Sequence, residues 1–269
     1  MKNCYSNRGA AVFIAVLIFI TTGCSKNEEA QLKQASQLTQ SKNEESKIHY
    51  GPAVAIGNME AKAWVSVDKK GNPVAIGVSL PGNAILTLNA EPKIFTLHLP
   101  SDVKVAPYDH IDLNWNPEGH PPMDIYTTPH FDLHFYTICE QDQAKIEGKF
   151  PPYWDPAPNL KYIPEAYVQG PGVEPKMGSH WVDVLSPEFI GSSFTRTMVW
   201  GTHSGKVIFV EPMFTLAYLK TKPDEVIPMR QPTSFEKSGF YARNYSFKYD
   251  ENHQRYIIAL TDLRHEKGK

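Results

Sequence analysis

The sequence predicts a mainly β protein, α+β at most: an antiparallel barrel or sandwich of short strands with one long proline-rich loop and few helical turns. Three observations predict it. Short runs alternate apolar and polar residues between Gly, Asn and Asp turn signals, which is the period of half-buried strands. Seven of the 22 prolines fall between Pro151 and Pro175, where they exclude both a long helix and a central strand. Helix signals are thin, limited to two turns at Glu140–Ile146 and one at Glu165–Val168.

The elements follow in chain order. Ala61–Val67 and Val74–Leu80 flank Asp-Lys-Lys-Gly-Asn-Pro and read as a hairpin. Ile94–Leu99 is a short strand ended by Pro100, and Ile111–Trp115 runs as a strand into Pro-Glu-Gly-His-Pro-Pro. Thr195–Trp200 with Lys206–Val210, and Asn244–Tyr249 with Arg255–Leu260, form two further hairpins by the same signals. Phe214–Lys220 suits a strand or a helical turn. The proline-rich excursion is long for a structureless loop, so it is expected to be a lid or binding surface, ending in Lys-Met-Gly-Ser-His-Trp-Val-Asp.

The domain organisation expected is a lipoprotein signal peptide at 1–23, a flexible polar tether at 24–49 and a single mainly-β domain at 50–269. Lys2 and Arg8 precede an apolar stretch from Ala10 to Ile20 and then Thr-Thr-Gly-Cys, the order of a secretory signal. The cysteine after Gly23 resembles the lipobox of bacterial lipoproteins, with Cys24 the lipidated residue and Thr21 standing where Leu is usual. The apolar stretch is short of the roughly 20 residues that a membrane span needs. The expected location is therefore the cell envelope, as a membrane-anchored lipoprotein facing the periplasm or exterior. In the tether, Lys26, Lys33, Lys42 and Lys47 balance Glu28, Glu29, Glu44 and Glu45, so attachment would rest on the lipid alone.

The net charge of −2 favours neither nucleic acid nor an anionic membrane surface as a partner. Cys4 and Cys24 belong to the signal, which leaves Cys139 as a lone thiol, read as packed, and a domain held by its core rather than by a disulfide. Trp64, Trp115, Trp154, Trp181 and Trp200 are scattered and read as core or pocket wall. Gly-Thr-His-Ser-Gly at 201–205 is not a nucleophile elbow, because Ser204 is off the central position and the flanks read as a hairpin.

The chemistry concentrates between Asn114 and Tyr136. His130, Asp132 and His134 alternate with Phe131, Leu133 and Phe135, so a strand puts three metal-competent side chains on one face. Burying such groups is costly unless something satisfies them, and a divalent cation is the leading candidate. Strand geometry restricts the arrangement: positions four apart are separated by roughly 13 Å and positions two apart by roughly 6.6 Å. One ion would thus take Asp132 with one of the two histidines, His134 preferred, unless a bulge or twist intervenes. A helix capped by Thr128 would lift the restriction, but the alternation and aromatic content favour strand. His120 and His180 would complete the shell from loops. Glu118 or Asp183 would act as base or orienter for a metal-bound water, Glu118 also being a possible ligand. His/carboxylate ligands with an open position suit Zn²⁺, and more oxygen ligands would favour Mn²⁺ or Fe²⁺.

Four strings carry a resemblance: Tyr-Gly-Pro-Ala-Val-Ala-Ile-Gly-Asn (50–58), Asn-Trp-Asn-Pro-Glu-Gly-His (114–120), Pro-His-Phe-Asp-Leu-His-Phe-Tyr (129–136) and Met-Gly-Ser-His-Trp-Val-Asp (177–183). With Glu211-Pro212-Met213, they resemble a family of exported bacterial proteins of unknown function, over about Tyr50 to Phe214. The structurally described member of that family is controlled by an extracytoplasmic stress sigma factor and its anti-sigma factor, and forms a ring-shaped homo-oligomer. The resemblance implies an exported protein and a homo-oligomer, and carries no reaction. Two functions stay open on the sequence. One is a metal-dependent hydrolase or lyase acting on a small molecule. The other is a non-catalytic envelope stress or binding protein whose His/Asp cluster is a structural hydrogen-bond network.

Overall fold

The computed structural model describes residues 46–269. The expected signal peptide, Cys24 and the expected tether up to residue 45 lie outside the described residues. The first described strand is β1 (Lys47–Ile56), which takes up the last residues assigned to the tether. β1, β2 (Met59–Val67) and β3 (Pro73–Pro81) form a meander, closed between β2 and β3 by the expected Gly/Asn turn. There Asp68 accepts hydrogen bonds from the Lys70 and Asn72 amides at 2.8 Å each.

Two antiparallel sheets make up the domain, so the sandwich rather than the barrel is realised. The first runs β1-β2-β3-β14-β13-β11, with β11 at Asp224–Pro228, β13 at Asn244–Asp250 and β14 at Arg255–Thr261. The second runs β4-β5-β6-β10-β9-β8-β7. Its strands are β4 (Lys93–His98), β5 (His110–Asn116), β6 (His130–Tyr136), β7 (Tyr167–Gln169), β8 (Ser179–Asp183), β9 (Arg196–His203) and β10 (Lys206–Thr215). A small ribbon pairs β12 (Gly239–Tyr241) with β15 (Arg264–Glu266). All three predicted hairpins form. Phe214–Lys220 resolves into the end of β10 and a short helix at Leu216–Lys220, capped by the Thr215 hydroxyl accepting from the Tyr218 amide at 3.0 Å.

The core lies between the two large sheets. Val65, Ile76, Val78, Phe247 and Ile258 from the first meet Ile111, Leu113, Phe131, Leu133, Phe135 and Phe214 from the second in one cluster. Phe214 links the layers, stacking on Phe131 at 5.6 Å and meeting Phe247 edge-on at 5.1 Å between centroids. Each such side chain contributes roughly 1.5–3 kcal/mol on burial. This contact consumes one face of β5 and β6 and leaves their other face to the opposite side of the sheet.

Four expectations are corrected. The Glu140 helix stops at Gln143, and Glu165–Val168 is not a helical turn: it enters β7 through Ala166, which has a positive φ of 71°. Cys139 is exposed rather than packed, because it lies beyond the end of β6 as the N-cap of that helix. Trp154 is 57% exposed, whereas the other four tryptophans are buried.

Candidate metal centre

The outer face of the seven-stranded sheet is polar and buried. Cross-strand register sets Asp112 of β5 opposite His134 of β6, Asn114 opposite Asp132, and Asn116 opposite His130. His110, Asp112, Asn114, His130, Asp132, His134 and Glu211 are all buried. Two apolar clusters cover this face: Tyr126, Phe194, Val199 and Met213 in one, and Tyr136, Ile146, Val173 and Phe209 in the other. The strand assignment for 130–136 therefore holds, with the three polar side chains turned away from the sandwich core.

His120, His130 and Asp132 converge at one end. His130 Nε2 lies 3.1 Å from Asp132 Oδ1, and His120 Nε2 lies 3.4 Å from Asp132 Oδ2. Both imidazoles are held from behind. His130 Nδ1 donates to the Thr128 carbonyl and His120 Nδ1 to the Pro121 carbonyl, each at 2.7 Å. A carbonyl only accepts, so both Nδ1 atoms carry protons, and in the neutral rings both Nε2 atoms present lone pairs. Asn116 Nδ2 donates to Asp132 Oδ2 at 2.6 Å and orients the carboxylate. Two imidazoles locked by backbone carbonyls, with Nε2 directed at a braced carboxylate, is the arrangement by which proteins orient metal-binding histidines.

The loop that delivers His120 depends on Gly119. Its φ is +73°, in the left-handed region, and a Cβ there would collide with the Tyr126 carbonyl and the Thr128 amide. His120 N donates to Tyr126 O at 3.2 Å, and Tyr126 anchors the loop by donating its hydroxyl to Glu188 at 3.2 Å. The imidazole of His120 is partly open to solvent, while His130 and Asp132 are enclosed.

A second convergence lies one row along. His134 Nε2 is 3.5 Å from Glu211 Oε1, and His180 Nε2 is 3.7 Å from Glu211 Oε2. Glu211 arrives through cross-strand register: Val210 pairs with Phe135 and Met213 with Asp132 at one constant offset, which sets Glu211 directly opposite His134, while Pro212 lacks the N–H for a ladder bond there. Phe209 packs edge-on to His134 at 4.7 Å and lies 5.4 Å from His180. Gly201 of β9 makes room for that ring, since a Cβ at this position would overlap Phe209.

Electrostatics separate the two groups. Burial raises the Asp132 carboxyl, but hydrogen bonding and charge from His120 and His130 outweigh it and hold the group well below the usual carboxylate range. Burial opposes a proton on His120, yet the Asp132 carboxylate overcomes this and moves it above the ordinary histidine value. His134 goes the other way, to about 3, because burial dominates and neighbouring histidines repel a proton against the opposing pull of Asp132. His180 falls to about 4, by burial and then by His120. Glu211 is raised well above its ordinary value by burial and by the charge of Asp132.

All five histidine and aspartate ligands expected from the sequence are thus brought to this face, as two groups rather than one. The preferred partnership of Asp132 with His134 is corrected: Asp132 meets His130. The His134 ring stacks along Tyr136 at 5.5 Å and faces β10, whereas Asp132 leans toward Asn116 on β5. Glu118 is exposed in its turn and belongs to neither group. Asp183 is excluded by strand alternation, three positions from His180 and so on the other face of β8; it binds Arg230 Nε at 2.6 Å and the Leu185 amide at 2.9 Å. Glu211 was missed. Its signal was a carboxylate beside a proline inside an apolar run, which points to an irregular strand without indicating a partner.

Residues 68–115, from the β2–β3 turn to Trp115 of β5, match the family model TTHB210-like, described as "Hypothetical protein TTHB210". The chain is similar to that uncharacterised family over this stretch, which contains Asp112 and Asn114 but none of the six side chains of the two groups. No curated protein and no solved structure matches the chain.

Proposed function

We propose that this protein binds a divalent transition metal through His120, His130 and Asp132, and that the bound ion activates a water for hydrolysis of a small molecule. The observation that carries the reading is the placement of the two Nε2 atoms. Each faces an ionised carboxylate oxygen, lone pair to lone pair, so a cation between them is required, either a proton or a metal. The 3.4 Å contact exceeds an ordinary N–H···O bond, and Asp132 Oδ1 is buried without a hydrogen-bond partner although His130 Nε2 lies 3.1 Å away, which favours the metal. Two ligands bound tetrahedrally at about 2.0–2.1 Å lie roughly 3.3 Å apart. Two imidazoles and one carboxylate leave a coordination position for water, whose pKa a bound Zn²⁺ lowers to about 7. Zn²⁺ is the first choice for this ligand set, with Mn²⁺ or Fe²⁺ as alternatives.

A non-catalytic role is favoured by a different observation: Asn116 and Asp132 already share a 2.6 Å hydrogen bond, as in a self-satisfied structural network. Elemental analysis of the full chain, purified without a chelating column, separates the two. Stoichiometric metal that falls in His130→Ala and Asp132→Asn supports the metal centre. Metal far below stoichiometry, or unchanged in both variants, supports the network. Hydrolysis of generic nitrophenyl esters or phosphate esters, abolished by chelation and restored by Zn²⁺, would add the catalytic step.

The same proposal places the protein in the envelope, tethered through Cys24 and assembling as a homo-oligomer. Its support is the lipobox-like Thr-Thr-Gly-Cys and the family resemblance of the motifs. Metabolic incorporation of a labelled fatty acid, lost in Cys24→Ser, tests the anchor, and light scattering of the detergent-solubilised protein tests the assembly.

A further inference from the structure

We propose that His134, His180 and Glu211 form a second divalent-metal site, separate from that of His120, His130 and Asp132 and able to fill without it. The two groups share a strand face, but each gathers its own ligand atoms within 4.8 Å of one another. Asp132 and His134 are two residues apart, so the centres are roughly 6.6 Å from each other along β6. That exceeds the roughly 3.5–4 Å of bridged two-metal sites. Each centre is therefore mononuclear, with its own carboxylate.

Hydrogen-bond accounting carries the inference. Both nitrogens of His134 are buried without a hydrogen-bond partner, and so is Glu211 Oε2. His134 is 1% exposed and Glu211 is 1% exposed, so bulk water does not satisfy them. Buried polar groups are normally paired, and orphans gathered at one point require an explanation. Direct hydrogen bonds do not supply it: 3.5 and 3.7 Å exceed the usual N–H···O range of 2.7–3.2 Å. A metal supplies it for His134 Nε2 and Glu211 Oε2, because Nε2 of both histidines and both Glu211 oxygens already face one another at slightly more than the ligand–ligand spacing of a tetrahedral ion, while His134 Nδ1 is left to the Asp112 backbone across β5.

Charge agrees with this. Two neutral imidazoles and one carboxylate leave a bound M²⁺ with one net positive charge. Asp112, directly across from His134 in register, has Oδ2 held by Gln143 Nε2 at 2.8 Å and Oδ1 buried without a partner. Its carboxylate, directly across from His134, would supply a counter-charge to a bound ion. The ligand class is an imidazole-preferring divalent cation, for which Zn²⁺ is the probe.

The test is Zn²⁺ stoichiometry of the full chain, stripped with chelator, reloaded and desalted, with melting curves to confirm folding. Wild type is expected to hold about two equivalents, His120→Ala and His180→Ala about one each, and the double variant none. Glu211→Gln, which preserves shape, repeats the His180→Ala result should that variant fold poorly. Wild-type stoichiometry in both His180→Ala and Glu211→Gln overturns the second site. A single equivalent lost in His120→Ala but kept in His180→Ala also overturns it, leaving the first site standing. A single equivalent lost in His180→Ala but kept in His120→Ala supports the second site and removes the first.

Discussion

His130 Nε2 stands 3.1 Å from Asp132 Oδ1, on the same strand face and two residues away, while its Nδ1 is committed to the Thr128 carbonyl. The ring cannot turn its protonated nitrogen to the carboxylate without abandoning that carbonyl. With Nδ1 so committed, an uncharged ring meets the carboxylate lone pair to lone pair, which is the contact that the proposed metal would relieve.

Asp132→Asn tests that demand. The amide keeps the shape and removes the charge. Loss of an outer-shell partner typically costs 10–100-fold in metal affinity, so loss of this ligand should weaken Zn²⁺ binding by more than about 100-fold. Competition with a chromogenic chelator measures it. Asn116→Ala, which removes only the 2.6 Å brace on Asp132, should fall within about 10–100-fold.

The opposite face of the same strand should behave independently. Leu133 is fully buried in the sandwich core. Leu133→Ala is expected to destabilise by about 2–5 kcal/mol in urea titrations, through lost burial and the cavity left behind. Its metal stoichiometry should match wild type, because period-two alternation directs residue 133 away from both ligand groups.

Acid and base should destabilise the metal-free protein for different reasons. His134 and His180 have folded pKa values of about 3 and 4, below the ordinary value of roughly 6.5. Between those limits the unfolded chain binds more protons, so stability falls as pH drops from about 6.5. Glu211 is raised, so above its ordinary value the folded state holds the extra proton, and stability declines as pH rises until the folded group ionises. Melting temperature against pH should therefore pass through a maximum. Glu211→Gln should flatten the alkaline limb, His180→Ala should soften the acid limb, and a monotonic profile in metal-free wild type would contradict the assignment.

Much of this was legible in the chain. Alternation in His130–Tyr136 fixed which side chains share a face, and Gly/Asn turn signals located all three hairpins, because both depend on neighbours in sequence. What lay beyond reading was long-range register. Nothing near His134 indicates that β10 rather than β5 supplies its carboxylate, nor that the register of β10 on β6 sets Glu211 opposite it. Asp132 and His134 looked like natural partners by spacing alone. The structure assigns them to different neighbours because Asn116 draws one toward β5 and Tyr136 stacking aligns the other with β10.

Gly201 gives the sharpest test of how the second group is held. Register pairs it with Phe209 on β10 and with His180 on β8, so it sits between the two strands that frame the group. A methyl group at this position would enter space occupied by the Phe209 ring. That ring packs edge-on to His134 at 4.7 Å and within 5.4 Å of His180, so it cannot move without shifting a ligand. Gly201→Ala should therefore cost about 1–3 kcal/mol from overpacking, read as a lower urea midpoint. It should also lower Zn²⁺ retention at His134, His180 and Glu211 while leaving the His120, His130 and Asp132 equivalent in place. The β-strand backbone at 201 does not require glycine for its φ, so the effect would come from the ring alone. The double substitution Gly201→Ala/Phe209→Leu, which vacates the ring, should recover part of both losses.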